Sequence, residues 1–207
     1  MTNRQTGEVR GPRLDSGTVI RTALELLDEK GLDALSVRAV ADRLGVRMNT
    51  VLWHVKTKAR MLELMADAVV GEAPLDDLPA PWDGRVRELA RRYRRALLAH
   101  SDGATLVVGT HAAEPHTLSF ADALVGALLD GGLDERETAW TAWTIIYFTL
   151  GLTQEEQATA RQSPNGRLAN AVSERGYPAL HRVLGHLDAE SFGERLEFGL
   201  SAILARR

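Results

Sequence analysis

No cysteine occurs among the 207 residues, which excludes disulfides, thiolate nucleophiles and cysteine metal ligands together. That suits a reducing compartment, and the cytoplasm is the expected location. Aromatic residues make up only 5% of the chain, and only 3 lysines stand beside 22 arginines. No long hydrophobic run is present either. The longest uncharged stretch, Thr138–Gln154, has 17 residues and carries five threonines. A spanning helix needs about 20 mainly apolar residues, so no membrane association is expected. The segment MTNRQTGEVRGPR lacks the apolar core of a secretory signal. Neither sign of charge dominates: 25 basic and 28 acidic side chains leave a net charge of −3. No segment alternates with period two, which argues against strands. A nucleophile elbow, a phosphate loop, an HExxH pair and paired catalytic carboxylates are all missing, so no enzyme is expected. No cofactor is called for.

What the chain does have is helical periodicity almost throughout, together with 44% apolar residues, enough to bury a core. Asp15 is placed to cap a first helix, with Leu14 against Val19 as a hydrophobic staple. Val19, Ala23, Leu26 and Leu27 form its apolar stripe, and Gly31 ends it. Ser36 caps a second helix that buries Val37, Val40, Ala41 and Leu44. A third runs from Met48 to His54 and a longer one from about Thr57 past Val69. Glu72–Pro81 holds three prolines and no periodicity, and marks a domain boundary. Helices are expected behind it over 82–100, 104–110, 115–129, 134–157, 177–186 and 189–205. Ala160–Gly176 reads as a loop around Pro164-Asn165-Gly166. The expected fold is all-α: an N-terminal three-helix helix-turn-helix domain and a C-terminal helical domain. The boundaries expected are an unstructured arm 1–13, the front domain with its connecting helix 14–70, a linker 71–81 and the rear domain 82–207.

Charge is unevenly spread. Residues 35–62 hold Arg38, Arg43, Arg47, Lys56, Lys58 and Arg60 against Asp42 alone. That is the footprint of a surface that replaces counterions on phosphates. Helix, the tight turn Gly45-Val46-Arg47, then helix is the geometry that lays a recognition helix in a major groove. Val51 packs that helix back, which leaves Arg47, Met48, Asn49, Thr50, Trp53 and His54 outward. Arginine forks to guanine, asparagine to adenine, and a methionine covers a thymine methyl. Thr50, Trp53, Lys56 and Lys58 are better placed on phosphates, where they fix register without reading sequence. On the residues alone, two other classes stay open. One is a helical small-molecule-binding protein or enzyme with a vestigial front domain; the other is a non-specific architectural DNA binder.

Val19–Met65 resembles the DNA-binding domain of the tetracycline-repressor (TetR) family. The Gly31 turn, Ser36-Val37-Arg38, Ala41–Val46 and Trp53-His54-Val55-Lys56-x-Lys58 carry the likeness. It implies that Arg38, Arg47–Thr50 and Trp53–Lys58 face double-stranded operator DNA. Leu52 departs from it, because the family often has a tyrosine there. Arg94–His111, Asp130–Arg136 and Phe148–Gly151 extend the resemblance to the tetracycline-repressor subclass, in which a rear pocket binds magnesium-tetracycline. Residue by residue, the metal-binding histidine falls on Val107, and the matching carboxylate is Glu155. One drug-binding histidine falls on Ala73 or Pro74, and a drug-binding asparagine on Leu89. Tyr93 keeps the aromatic position, Gly109 and Thr110 match, and His111 replaces an arginine. The resemblance therefore implies a ligand-responsive regulator, most often a repressor, with an effector other than magnesium-tetracycline. The expected effector lining is Tyr93, Val107, Thr110, His111, Phe120, Trp143, Ile146, Tyr147 and Glu155. A single module covers only a half-site, so a C2 homodimer on a palindromic operator is expected. Its contact is expected from the long helix 134–157 and from Phe192, Leu196, Gly199 and Ile203, with Gly193 and Gly199 allowing close approach. Arg85, Arg87, Arg91, Arg92, Arg94 and Arg95 read as a solvated face. Around Glu114, the residues His111, His116 and Glu155 are too awkwardly spaced to read as a metal site.

Overall fold

A computed structural model describes residues 14–110, 113–160, 167–187 and 191–205 of the chain. Eleven helices and no strand occur among the described residues. The reader consists of α1 (Ser16–Lys30), α2 (Val37–Leu44) and α3 (Met48–Val55), and α4 (Lys58–Gly71) leads out of it. Three of these starts are set by short polar side chains. Asp15, Ser36 and Thr57 are extended and accept hydrogen bonds from the backbone N–H of Thr18, Ala39 and Arg60 at 2.7, 3.1 and 3.0 Å. The α2 end is a Schellman turn. Gly45 sits at φ 65°, Val46 N–H donates to Ala41 O and Gly45 N–H to Asp42 O. A side chain at Gly45 would meet that left-handed geometry at a conformational cost.

Behind the coil of residues 72–81 come α5 (Trp82–Leu98), α6 (Gly103–Val108), α7 (Pro115–Asp130) and α8 (Glu135–Ala160). Next are α9 (Arg167–Ala171), α10 (Pro178–Leu187) and α11 (Phe192–Leu204). The helix limits expected from the periodicity agree within a few residues. The stretch expected as a loop holds α9, while residues 161–166 lie outside the described residues. The α5 stripe Val86, Leu89, Tyr93 and Leu97 is buried, and α5 packs on α7 and α8. The core is continuous from the reader to the rear helices, because α4 packs against α1 on one side and α5, α6 and α7 on the other.

One expectation about exposed faces needs correction, and a second is narrowed. The α5 arginines are ion-paired staples. Arg85 binds Asp130, Arg87 and Arg91 bind Glu197 on α11, and Arg94 forks onto Glu156 on α8 at 2.5 and 2.8 Å. Arg92 joins Glu88 and the carbonyls of Pro74, Asp76 and Asp77, which fastens the linker, and Arg95 reaches Glu88. In the α11 stripe Phe192, Leu196, Gly199 and Ile203, two members, Leu196 and Gly199, pack within the chain. Leu196 is buried, Phe192 and Ile203 are half-buried, and a Cβ on Gly199 would overlap the Phe148 ring of α8. Within the chain Gly193 has nothing within 4 Å of a Cβ, whereas Gly199 makes a close approach to Phe148. The residue that α11 leaves bare is Phe198, 78% exposed.

Candidate functional site

The front surface is built by α3. Val51 and Val55 are fully buried and lock its inner side onto α2. Arg47, Met48, Asn49, Thr50 and Trp53 are exposed as expected, Trp53 by 74%, and His54 is half-buried. Arg47 is the N-cap and makes no capping bond with its side chain, so the first N–H groups of α3 point outward with the positive helix end. Lys56 takes φ 64° at the other end; its Nζ donates to Trp53 O at 3.0 Å and lies 4.9 Å over the Trp53 ring. That contact holds an ammonium and an indole together at the surface. Arg38 and Lys58 are exposed beside them. Two of the six basic side chains point elsewhere: Arg43 forks onto Glu29, and Arg60 binds Glu63 and Glu114. The positive face is therefore narrower than the charge count implies, and consists of Arg38, Arg47, Lys56 and Lys58. Leu52 is half-buried against the core, so the position where the family often has tyrosine serves packing.

A cavity of about 510 Å³ opens in the rear part. Tyr93, Val107, Thr110, Phe120, Trp143, Ile146 and Tyr147 line it together, seven of the nine residues expected there. His111 lies outside the described residues. Glu155 is exposed and off the lining, and the neighbouring Gln154 faces the cavity instead. One residue of helix rotates a side chain by about 100°, which separates the two. Tyr93 stacks on Phe120 at 4.8 Å and Trp143 on Tyr147 at 5.1 Å between ring centroids. Burial pushes the Tyr93 hydroxyl well above the usual tyrosine range, so it remains a neutral donor. Among the described residues no three His, Asp or Glu side chains are placed to hold a metal. Glu114 is taken by Arg60 and His116 by Asp67.

Ala66 and Val70 of α4 also line the cavity, so one helix forms its wall and carries the reader. Two polar contacts fasten that helix to the start of α7. Arg60 pairs with Glu114. One turn pair further on, Asp67 accepts from Thr117 N–H at 2.8 Å and Thr117 Oγ1 at 2.9 Å, with His116 Nδ1 at 2.9 Å. Burial would raise the Asp67 carboxyl, but these bonds outweigh it and hold the group below its ordinary value. A second latch ties α1 to the α5–α6 turn. His100 places Nδ1 2.9 Å from Asp28 and Nε2 2.9 Å from Glu72. Ser101 N–H donates to Asp28, and Asp102 accepts from Leu32 N–H. Burial opposes protonation of His100, yet the bonds to Glu72 and Asp28 prevail and raise its pKa. Sequence reasoning missed both latches. The only trace of Asp67 was a lone carboxylate within the apolar face of Met65, Ala66, Val69 and Val70.

Comparison with known proteins agrees with this geometry. Residues 19–65 match the family model "Bacterial regulatory proteins, tetR family", and residues 74–205 match "Tetracyclin repressor-like, C-terminal domain". The class A tetracycline repressor protein from transposon 1721 of Escherichia coli is 34% identical over 196 residues, 93% of this chain and 89% of that protein. A possible TetR family regulator from Streptomyces coelicolor A3(2) superposes with a TM-score of 0.84 at 36% identity, covering 92% of this chain and 97% of the other. ActR of Streptomyces coelicolor, solved in complex with actinorhodin, gives a TM-score of 0.83 at 26% identity, covering 93% and 94%.

Proposed function

The chain belongs to the TetR family of bacterial regulatory proteins, and on that premise we propose that it is a repressor released from its operator when a small molecule fills the rear cavity. As a family member it is a ligand-responsive, sequence-specific DNA-binding transcriptional regulator that acts as a homodimer. It works in the cytoplasm as a regulator and catalyses no reaction. Residues 14–70 form the reader, 71–81 the linker and 82–207 the sensing and dimerising part. The observation that carries the proposal is α4, which lines the cavity with Ala66 and Val70 and leads directly from the recognition helix. A ligand that fits better when α4 has moved shifts the spacing of two recognition helices away from successive major grooves. The effector is other than magnesium-tetracycline, because Val107 and Leu89 stand where that drug complex needs a metal ligand and an amide.

Arg47, Met48 and Asn49 read base edges in this account. Arg38, Thr50, Trp53, His54, Lys56 and Lys58 hold the backbone. The dimer face is assigned to α8 and α11 around Phe198, Trp140, Trp143 and Tyr147, all large apolar residues more than half exposed. No residue of α10 is buried although Leu180, Val183 and Leu187 share its apolar side, which also calls for a partner. Trp143 and Tyr147 belong to both face and cavity, so dimerisation narrows the cavity mouth.

Selection of bound fragments from the organism's own genomic DNA tests the reading. Asn49→Ala is expected to lose about 1–3 kcal/mol of preference at one base pair. Lys56→Ala should weaken every duplex alike and lower the salt slope by about 1. Recovery of fragments without any shared palindrome counts against the proposal.

A further inference from the structure

Five lining residues of the cavity carry a hydroxyl or carboxamide side chain: Tyr93, Thr110, Thr117, Tyr147 and Gln154. No Asp, Glu, Lys, Arg or His lines it among the described residues. Two of the five are already engaged, and a third, Tyr147, is 62% exposed, so water serves its hydroxyl. Thr110 Oγ1 donates to Val107 O at 3.0 Å, and Thr117 Oγ1 donates to Asp67. Gln154 reaches Thr105 only at 3.5 Å through Nε2, and its carboxamide is exposed. Tyr93 differs from the other four in being buried without a bond. It is 96% buried by its 4% residual exposure, and its hydroxyl has no hydrogen-bond partner among the described residues. That hydroxyl opens onto the cavity instead of being sealed in the core, so it is available to an acceptor that arrives there.

The walls define the rest of that molecule. Two nearly parallel ring pairs, Tyr93–Phe120 at 28° and Trp143–Tyr147 at 21°, present π faces. Ala66, Ala121, Leu150 and Gly151 leave low relief between them. Flat aromatic systems gain most from such faces. A charged group entering here loses its hydration and finds no counter-charge among the described lining residues, which disfavours carboxylates and metal chelates.

We infer that the effector is an uncharged, planar, fused-ring aromatic molecule bearing a ring carbonyl oxygen, bound without a metal, with that oxygen accepting from the Tyr93 hydroxyl. The inference rests on the reading of this cavity as the effector site. It adds the chemical class and the residue that selects it. Tyr93→Phe keeps the stack on Phe120 and removes only the donor, so the variant should fold and melt like the parent.

The test is titration of the full chain with 1,8-dihydroxyanthraquinone, with magnesium-loaded minocycline and myristate as the charged alternatives. Tryptophan quenching reports occupancy at Trp143. The quinone should bind more tightly than either alternative, and Tyr93→Phe should weaken it about tenfold, the loss of one hydrogen bond, while leaving the melting temperature unchanged. Tighter binding of the chelate or the fatty acid, equal binding by Tyr93→Phe, or no quinone binding up to its solubility limit overturns the inference. Selected operator DNA in a parallel titration separates the two claims. Quinone binding with full DNA retention supports the class and sinks the effector reading. DNA release by a culture extract without quinone binding sinks the class alone.

Discussion

Removing the Asp67 carboxylate should destabilise the fold and do so only where that group is ionised. Asp67→Ala takes away an acceptor of three hydrogen bonds on a residue 6% exposed. A hydrogen bond to a charged partner contributes about 1.5–3 kcal/mol net. The His116 side chain is 61% exposed and regains water, so the largest loss falls on the Thr117 N–H and hydroxyl. The total expected is about 2–4 kcal/mol. For a chain of this length that lowers the melting temperature by about 5–12 °C. Asp67→Asn keeps one acceptor oxygen and should lose about half as much. The folded carboxyl sits below its unfolded value, near 3.9. Its stabilisation is therefore complete above about pH 4 and disappears as pH falls through the lower folded value. Thermal melts of wild type and Asp67→Ala at one protein concentration, at pH 7 and in acid, measure this. A melting temperature at pH 7 equal to wild type, or a gap that persists unchanged into acid below the folded value, refutes the reasoning.

His100 carries the opposite sign. Its folded pKa is raised, so its stabilisation is complete below the unfolded value of about 6.5 and is lost as pH rises through the folded one. The melting gap between wild type and His100→Asn should thus shrink from pH 6 to pH 9; a constant gap would show that the two carboxylates do not hold an imidazolium. Gly199→Ala forces a methyl into the Phe148 ring and should cost about 1–3 kcal/mol in urea unfolding. Gly193→Ala, with open space around it, should be neutral or slightly stabilising, and equal effects at the two sites would contradict the assignment of the close approach.

Local signals carried most of the fold. Asp15, Ser36 and Thr57 cap helices through their own short side chains, and Gly45 ends one, so these boundaries were legible from single residues. The recognition helix was legible too, because Val51 and Val55 fix which side is buried and leave Arg47 to Thr50 outside. Long-range partners were not. Nothing near Arg91 or Arg94 reveals Glu197 or Glu156, more than 60 residues away, so a row of staples read as a solvated face. The α11 stripe was correctly seen as apolar, but a stripe does not say whether its neighbour is the same subunit or another one. Gly199 against Phe148 supplies that answer for Gly199 alone. Glu155 was displaced from the cavity by a single helical step, which periodicity inside an uncharged, many-sided helix does not resolve.

The central claim is that Arg47, Met48 and Asn49 read a particular DNA sequence. It is tested most directly by salt titrations of wild-type binding to the selected genomic operator and to a random duplex of equal length. The operator should bind at least about 10³-fold more tightly near physiological salt, with two chains per palindrome. Equal affinity for the two duplexes at every salt concentration would contradict it.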